Sequence, residues 1–332
     1  MTGRLSVQEG KERGMNVKRT LAGLLTVLGF GSGLLNAKDL KVLMIGNSFS
    51  DCVGKYLPQI VKSSGHKLEL TSAYVSGCSL EQHSKNFAAA EKDPSFSPYR
   101  ITVWNSEEPD KPLVRKGNVN ELLTRERYDV ITVQQGGSRA PFRETFHPYL
   151  EHLIGCVRQK QPDAEIVFQQ TWSYRIDDTR FKPHPNPKFD FDQTGMYERV
   201  RDAYLELASV YKMRVIPTGT AIQCYRKAVP VKFDPAAQPK VFPEVNPTWK
   251  GDPVGCSYWK ENKETGKQEL RTDLIHLNRF GEYLQACVWF SFLYGDPAEK
   301  ITFVPVKISE AECALLRKCA REALDQYPQA RE

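Results

Sequence analysis

Near the carboxyl end of the chain an aspartate stands three residues before a histidine, in Asp273-Leu-Ile-His276-Leu-Asn278. A carboxylate so placed can fix the imidazole's tautomer and orientation, and the imidazole can then take a proton from a hydroxyl. The hydroxyl with the best setting is Ser48, in Gly46-Asn47-Ser48-Phe49-Ser50, at the other end of the chain. Together the three side chains have the chemistry of nucleophilic acyl transfer, with Ser48 attacking, His276 as base and Asp273 orienting it. Each segment alone has a blander meaning. Asp-x-x-His is common by chance and often caps a helix, and Ser48 or Ser50 can merely start the helix that follows.

These residues must be carried together by the elements around them. Apolar runs bounded by turn residues alternate with helical patterns, as in a parallel sheet flanked by helices. The expected strands are Leu40–Ile45, Lys67–Val75, Tyr128–Gln134, Ala164–Gln170 and Met213–Ile216, giving a five-stranded parallel sheet. Helices are expected near 53–64, 80–91, 118–126, 144–160, 195–211, 279–294 (capped by Asn278) and 308–326. Two segments break the rhythm. Residues 95–117 look like an inserted hairpin, and 230–270, rich in Pro, Gly, Lys and aromatics, read as an irregular binding loop or lid.

Ligands of an open parallel sheet bind outside the carboxyl ends of its strands, where Ser48 would sit. Gly77, just after the second strand, can present its amide to an oxyanion; its common alternative use is a simple strand-to-helix turn. Gln134-Gln135-Gly136-Gly137 ends the third strand, and Gln135 is the favoured side-chain oxyanion donor. Asn47 and Gln134 beside it are expected to touch substrate. Trp172 and Tyr174, after the fourth strand, are expected to form a flat wall of the kind that binds sugars, although aromatics more often pack a core.

These blocks resemble the SGNH, or GDSL-type, hydrolase superfamily: Gly46-Asn47-Ser48-Phe49-Ser50, Gly77 and Asp273-Leu-Ile-His276, over residues 38–295 with the insertions unmatched. The resemblance implies a flavodoxin-like three-layer α/β/α sandwich and hydrolysis of acyl esters, often acetyl groups on carbohydrate or lipid. It also implies Ser48 as nucleophile, Asp273 and His276 as its partners, and the Ser48 and Gly77 amides as oxyanion donors. Two departures stand out: Asn47 where the family has Asp, and Gln134-Gln135-Gly136-Gly137 where it has Gly-x-Asn-Asp. Either a glutamine replaces that asparagine or the third donor is absent.

The rest of the composition is ordinary for a chain of 332 residues. Lys18-Arg19, the apolar run Leu21–Phe30 and the small residues up to Ala37 follow the order of a cleavable export signal, with Met15 an alternative start. Residues 1–37 carry net +3 of the formal +6, and the remaining +3 is too mild to suggest nucleic acid. The expectation is one domain over 38–332, secreted or periplasmic, without stable membrane insertion after cleavage. No Cys-x-x-Cys pair occurs and the histidines are scattered, so neither metal nor cofactor is expected. The eight cysteines permit disulfides, but their apolar settings favour free, buried thiols. The expected ligand is a small-molecule or polysaccharide ester. The competing expectation is a non-catalytic carbohydrate- or surface-binding protein that keeps the fold.

Overall fold

The computed structural model describes residues 37–181, 189–239, 241–242 and 250–327, so the expected signal lies outside the described residues except for Ala37. No described helix is long and apolar enough to cross a membrane.

The first strand, β1 (Asp39–Gly46), buries Val42, Leu43, Met44 and Ile45 completely, because both faces of a parallel sheet are covered. It pairs in parallel with β2 (Lys67–Tyr74) on one side and β5 (Val130–Val133) on the other. β6 (Glu165–Gln169) and β7 (Arg214–Ile216) extend the parallel set, giving the five expected strands. The hairpin β3 (Tyr99–Asn105) and β4 (Leu113–Gly117) is not a separate excursion. It adds antiparallel strands to the β2 edge, so the sheet has seven strands in the order β4-β3-β2-β1-β5-β6-β7.

The short α1 (Ser48–Asp51) leads into α2 (Leu57–Ser64), followed by α3 (Leu80–Lys92), α4 (Val119–Arg125), α5 (Tyr149–Lys160) and α6 (Gln193–Tyr211). After β7 come α7 (Thr218–Ala228), α8 (Arg279–Tyr294) and α9 (Glu310–Asp325). Helices α3, α4 and α5 pack together, and α2, α7, α8 and α9 form a second packed group, completing a three-layer α/β/α sandwich. Helix α8 is buried along almost its whole length, which explains why its sequence is apolar all round.

The structure departs from the sequence reading in two places. Helix α7 was not expected, since Thr218, Gly219 and Thr220 are poor helix formers. Gly219 is there for close packing: a Cβ would lie 2.1 Å from the Thr171 carbonyl oxygen. The segment 230–270 is not irregular throughout, because β8 (Val254–Glu261) pairs with β9 (Gln268–Leu277) in a separate antiparallel hairpin. Asp273 and His276 belong to the second strand of that hairpin, just before α8. All eight cysteines are free, five of them buried.

Candidate active site

Ser48 is the first residue of α1, directly beyond the carboxyl end of β1. Asn47 caps the helix, its Oδ1 accepting from the Phe49 amide at 2.9 Å. His276 and Asp273 arrive from β9, and the register there explains how they meet. Val254 pairs with Leu277 and Cys256 with Asp273, so β9 spends four residues where β8 spends two. The surplus forms a bulge. Within it Asp273 Oδ1 accepts the amides of Ile275 at 2.9 Å and His276 at 3.0 Å, curling the strand over its own carboxylate. A regular pleat would send residues three apart to opposite faces; the bulge puts them on one side.

Asp273 Oδ2 lies 2.7 Å from His276 Nδ1, and His276 Nε2 lies 2.9 Å from Ser48 Oγ. A carboxylate can only accept, so Nδ1 carries the proton and Nε2 is left to accept from the Ser48 hydroxyl. Burial alone would raise the Asp273 carboxyl, but hydrogen bonds from the His276 ring and from the His276 and Ile275 amides win and hold it at about 2. It is therefore ionised throughout the neutral range. About 44% of the His276 side chain is exposed, so solvent and a ligand both reach the base.

A cavity of about 410 Å³ opens beside Ser48, lined among others by Gly77, Ser79, Gly137, Tyr174, Arg139 and Arg180. Gly77 has φ of +61°, a left-handed conformation that a side chain would disfavour. The Ser48 and Gly77 amides have no partner among the described residues, and both residues line this cavity.

Three sequence assignments need correction. Gln135 is not available to an oxyanion. Its Oε1 accepts the amides of Leu80 (3.0 Å) and Gly136 (2.8 Å), and its Nε2 donates to the Thr145 carbonyl (2.9 Å) and hydroxyl (3.1 Å). All four hydrogen-bonding positions of the amide are spent, tying the start of α3 to the Gly136 turn and to Thr145. Gln134 is buried and does not line the cavity; its Nε2 donates to Asn47 Oδ1 at 2.6 Å. Asn47 does line it, but its Nδ2 donates to the Cys78 carbonyl at 2.8 Å, tying the β1 loop to the β2 loop. Asn47 and Gln134 thus position the loop that carries Ser48.

Trp172 is no sugar wall. It is fully buried, stacks on Phe49 with ring centroids 4.2 Å apart, and donates its indole N–H to the Ile275 carbonyl at 2.8 Å. Tyr174 lines the cavity, but the Arg180 guanidinium covers its ring at 4.1 Å.

Sequence reasoning missed Arg139 and Arg180. They lie six and eleven residues beyond the carboxyl ends of β5 and β6, in loops whose path over the strand ends is set only by the fold.

A hydroxyl, an imidazole and a carboxylate joined by hydrogen bonds at the strand ends of an α/β sandwich define the class of fold and site. The chain belongs to the DUF4886 family, a domain of unknown function, whose family model matches residues 41–234. Asp273 and His276 lie beyond that match. The crystal structure of a DUF4886 family protein from Bacteroides uniformis ATCC 8492 has the same fold, with a TM-score of 0.68 at 24% identity. The alignment covers 89% of this chain and 97% of that one. A Clostridium thermocellum family 3 carbohydrate esterase aligns at a TM-score of 0.38 and 12% identity, covering 76% of this chain and 94% of that one. No curated protein sequence matches the chain.

Proposed function

We propose that this protein is a serine ester hydrolase. The observation that carries this reading is the continuous contact from Asp273 Oδ2 through His276 to Ser48 Oγ, at 2.7 and 2.9 Å, between residues 228 positions apart in the chain for the Ser–His pair. In the reaction Ser48 Oγ attacks the acyl carbon while His276 Nε2 takes its proton. The oxyanion faces the Ser48 and Gly77 amides. Collapse of the tetrahedral intermediate releases the alcohol, which takes the proton from the imidazolium. Water, deprotonated by the same Nε2, then attacks the acyl-Ser48 ester, and the acid leaves with the hydroxyl restored.

An acetyl or similar short acyl group on a carbohydrate is the substrate this reading favours. Its support is the resemblance to SGNH hydrolases and a cavity with a polar lining that includes Ser76, Ser79, Gln82 and Ser138. The signal-like order of residues 1–37 supports export. The test is labelling with a fluorophosphonate, followed by mapping of the modified peptide. Labelling at Ser48, lost in Ser48→Ala and strongly slowed in His276→Ala, is the expected result. An unlabelled wild-type protein that also leaves 4-nitrophenyl acetate intact would overturn it.

A further inference from the structure

The cavity beside Ser48 has a one-sided charge that hydrolysis itself does not require. Among the described residues that line it, the only formal charges are the guanidinium groups of Arg139 and Arg180, and none is a carboxylate. Their counter-ions hold them from outside. Arg180 donates Nε and Nη2 to Asp178 Oδ1 and Oδ2, both at 2.7 Å, and Asp178 is itself buried. Arg139 Nη1 donates to Glu81 Oε2 at 2.6 Å, and Glu81 also pairs with Lys85 at 2.7 Å. These pairs fix each guanidinium; Arg180 also hydrogen-bonds the Tyr174 side chain, whereas Nε and Nη2 of Arg139 have no acceptor among the described residues. The Tyr174 ring beneath Arg180 restrains it further.

We propose that this cavity selects esters whose non-reacting part carries a negative charge. The preferred substrate class is thus an acylated acid, with Arg139 and Arg180 as specificity-determining residues. A carboxylate, a sulfate and a phosphate would all meet the same forks of N–H donors. The proposal rests on the reading of Ser48 as the site where an ester binds. It adds no step to the reaction: the anion stays bound while the acyl group moves.

The test uses acetate esters of one shape and different charge. Hydrolysis of 4-acetoxybenzoate and 4-acetoxybenzenesulfonate is compared with that of the 4-acetoxybenzyltrimethylammonium ion. The expected kcat/KM ratio of anion to cation is at least tenfold and shrinks as salt rises. Arg139→Gln and Arg180→Gln should each bring the ratio toward unity, and Arg139→Lys should keep part of it. Arg139 is exposed enough that its variant folds even if loss of Arg180 destabilises the buried Asp178. The carboxylate and sulfonate arms, with 4-acetoxyphenyl phosphate as a third, show which anion fits best. Binding of 4-hydroxybenzoate and of 4-hydroxybenzyltrimethylammonium to Ser48→Ala protein reads the same preference without any hydrolysis. An inactive wild type that still prefers the anion in binding would therefore sink the hydrolase reading alone. Equal affinity for the two ions, or a ratio untouched by both arginine variants, would overturn the charge selection.

Discussion

The indole nitrogen of Trp172 donates to the Ile275 carbonyl at 2.8 Å while its ring stacks on Phe49 at an interplanar angle of 11°. Ile275 precedes His276 and Phe49 follows Ser48, so one buried side chain braces both halves of the Ser–His contact. Gln169 and Gln285 hold the same segment from below, donating to the Phe49 carbonyl at 2.6 and 2.8 Å.

Replacing Trp172 by Phe keeps a ring on Phe49 but leaves the Ile275 carbonyl without its donor. The expected cost is about 1–3 kcal/mol of stability. Displacement of His276 by a fraction of an ångström should lower kcat roughly tenfold or more, with KM for a small aryl acetate little changed. Urea unfolding and steady-state kinetics on one preparation check both. A variant with wild-type kcat would show that the brace is dispensable.

Asp273→Asn tests the tautomer argument. Asparagine Oδ1 can still accept the Ile275 and His276 amides, so the bulge should persist. Its NH₂ group, however, faces Nδ1 and forces the ring proton onto Nε2, where it blocks acceptance from Ser48. A kcat loss on the order of 10⁴-fold is expected, the scale of a triad whose orienting carboxylate becomes an amide.

The same variant reports on stability against pH. The Asp273 carboxyl lies at about 2 in the fold against an ordinary 3.8, so its ionised form is favoured by folding. Its contribution is complete above pH about 4 and disappears as pH falls through about 2. For a partly exposed carboxylate this is on the order of 1 kcal/mol after screening. Urea titrations of wild type and Asp273→Asn should differ at pH 6 and converge near pH 2; a gap independent of pH would contradict it.

Gly77 offers a prediction in which sterics and conformation separate. A Cβ added there meets nothing within 4 Å, so any penalty comes from φ of +61°. Gly77→Ala should cost about 1 kcal/mol and turn the amide away from the oxyanion position, lowering kcat. Gly77→Asn, which tolerates left-handed backbone, should recover much of both losses. Thermal melts and kcat of the two variants give the order; equal behaviour of Ala and Asn would count against a conformational cause.

The elements that sequence made legible are those whose signal is local. Buried parallel strands such as Leu40–Ile45 are short apolar runs between turn residues, and α9 announces itself with Ser309 and Glu312, which form a capping box. Helix α7 was hidden because Thr218-Gly219-Thr220 reads as a turn until Thr171 is seen pressed against Gly219. The hairpin β8–β9 was hidden because its strands lack a clean period-2 pattern: β8 is mostly buried over Val254–Ser257 and largely exposed beyond, and β9 mixes charged and apolar residues.

Residue types and chain order alone determined the five parallel strands of the central sheet and singled out Ser48, Asp273 and His276 as a chemically matched set, since those follow from local pattern and from what each side chain can do. Only the tertiary structure decided how Gln135, Gln134 and Trp172 are used. An amide or an indole near a strand end can face a ligand or satisfy buried backbone, and which one occurs depends on donors and acceptors far away in sequence. Thr145 and Leu80 claim Gln135, and Ile275 claims Trp172, because a buried polar group left unpaired costs more than the contact with solvent it gives up. The β9 bulge is of the same kind: nothing in Asp273-Leu-Ile-His276 counts residues on the opposing strand, yet that count turns the two side chains toward Ser48.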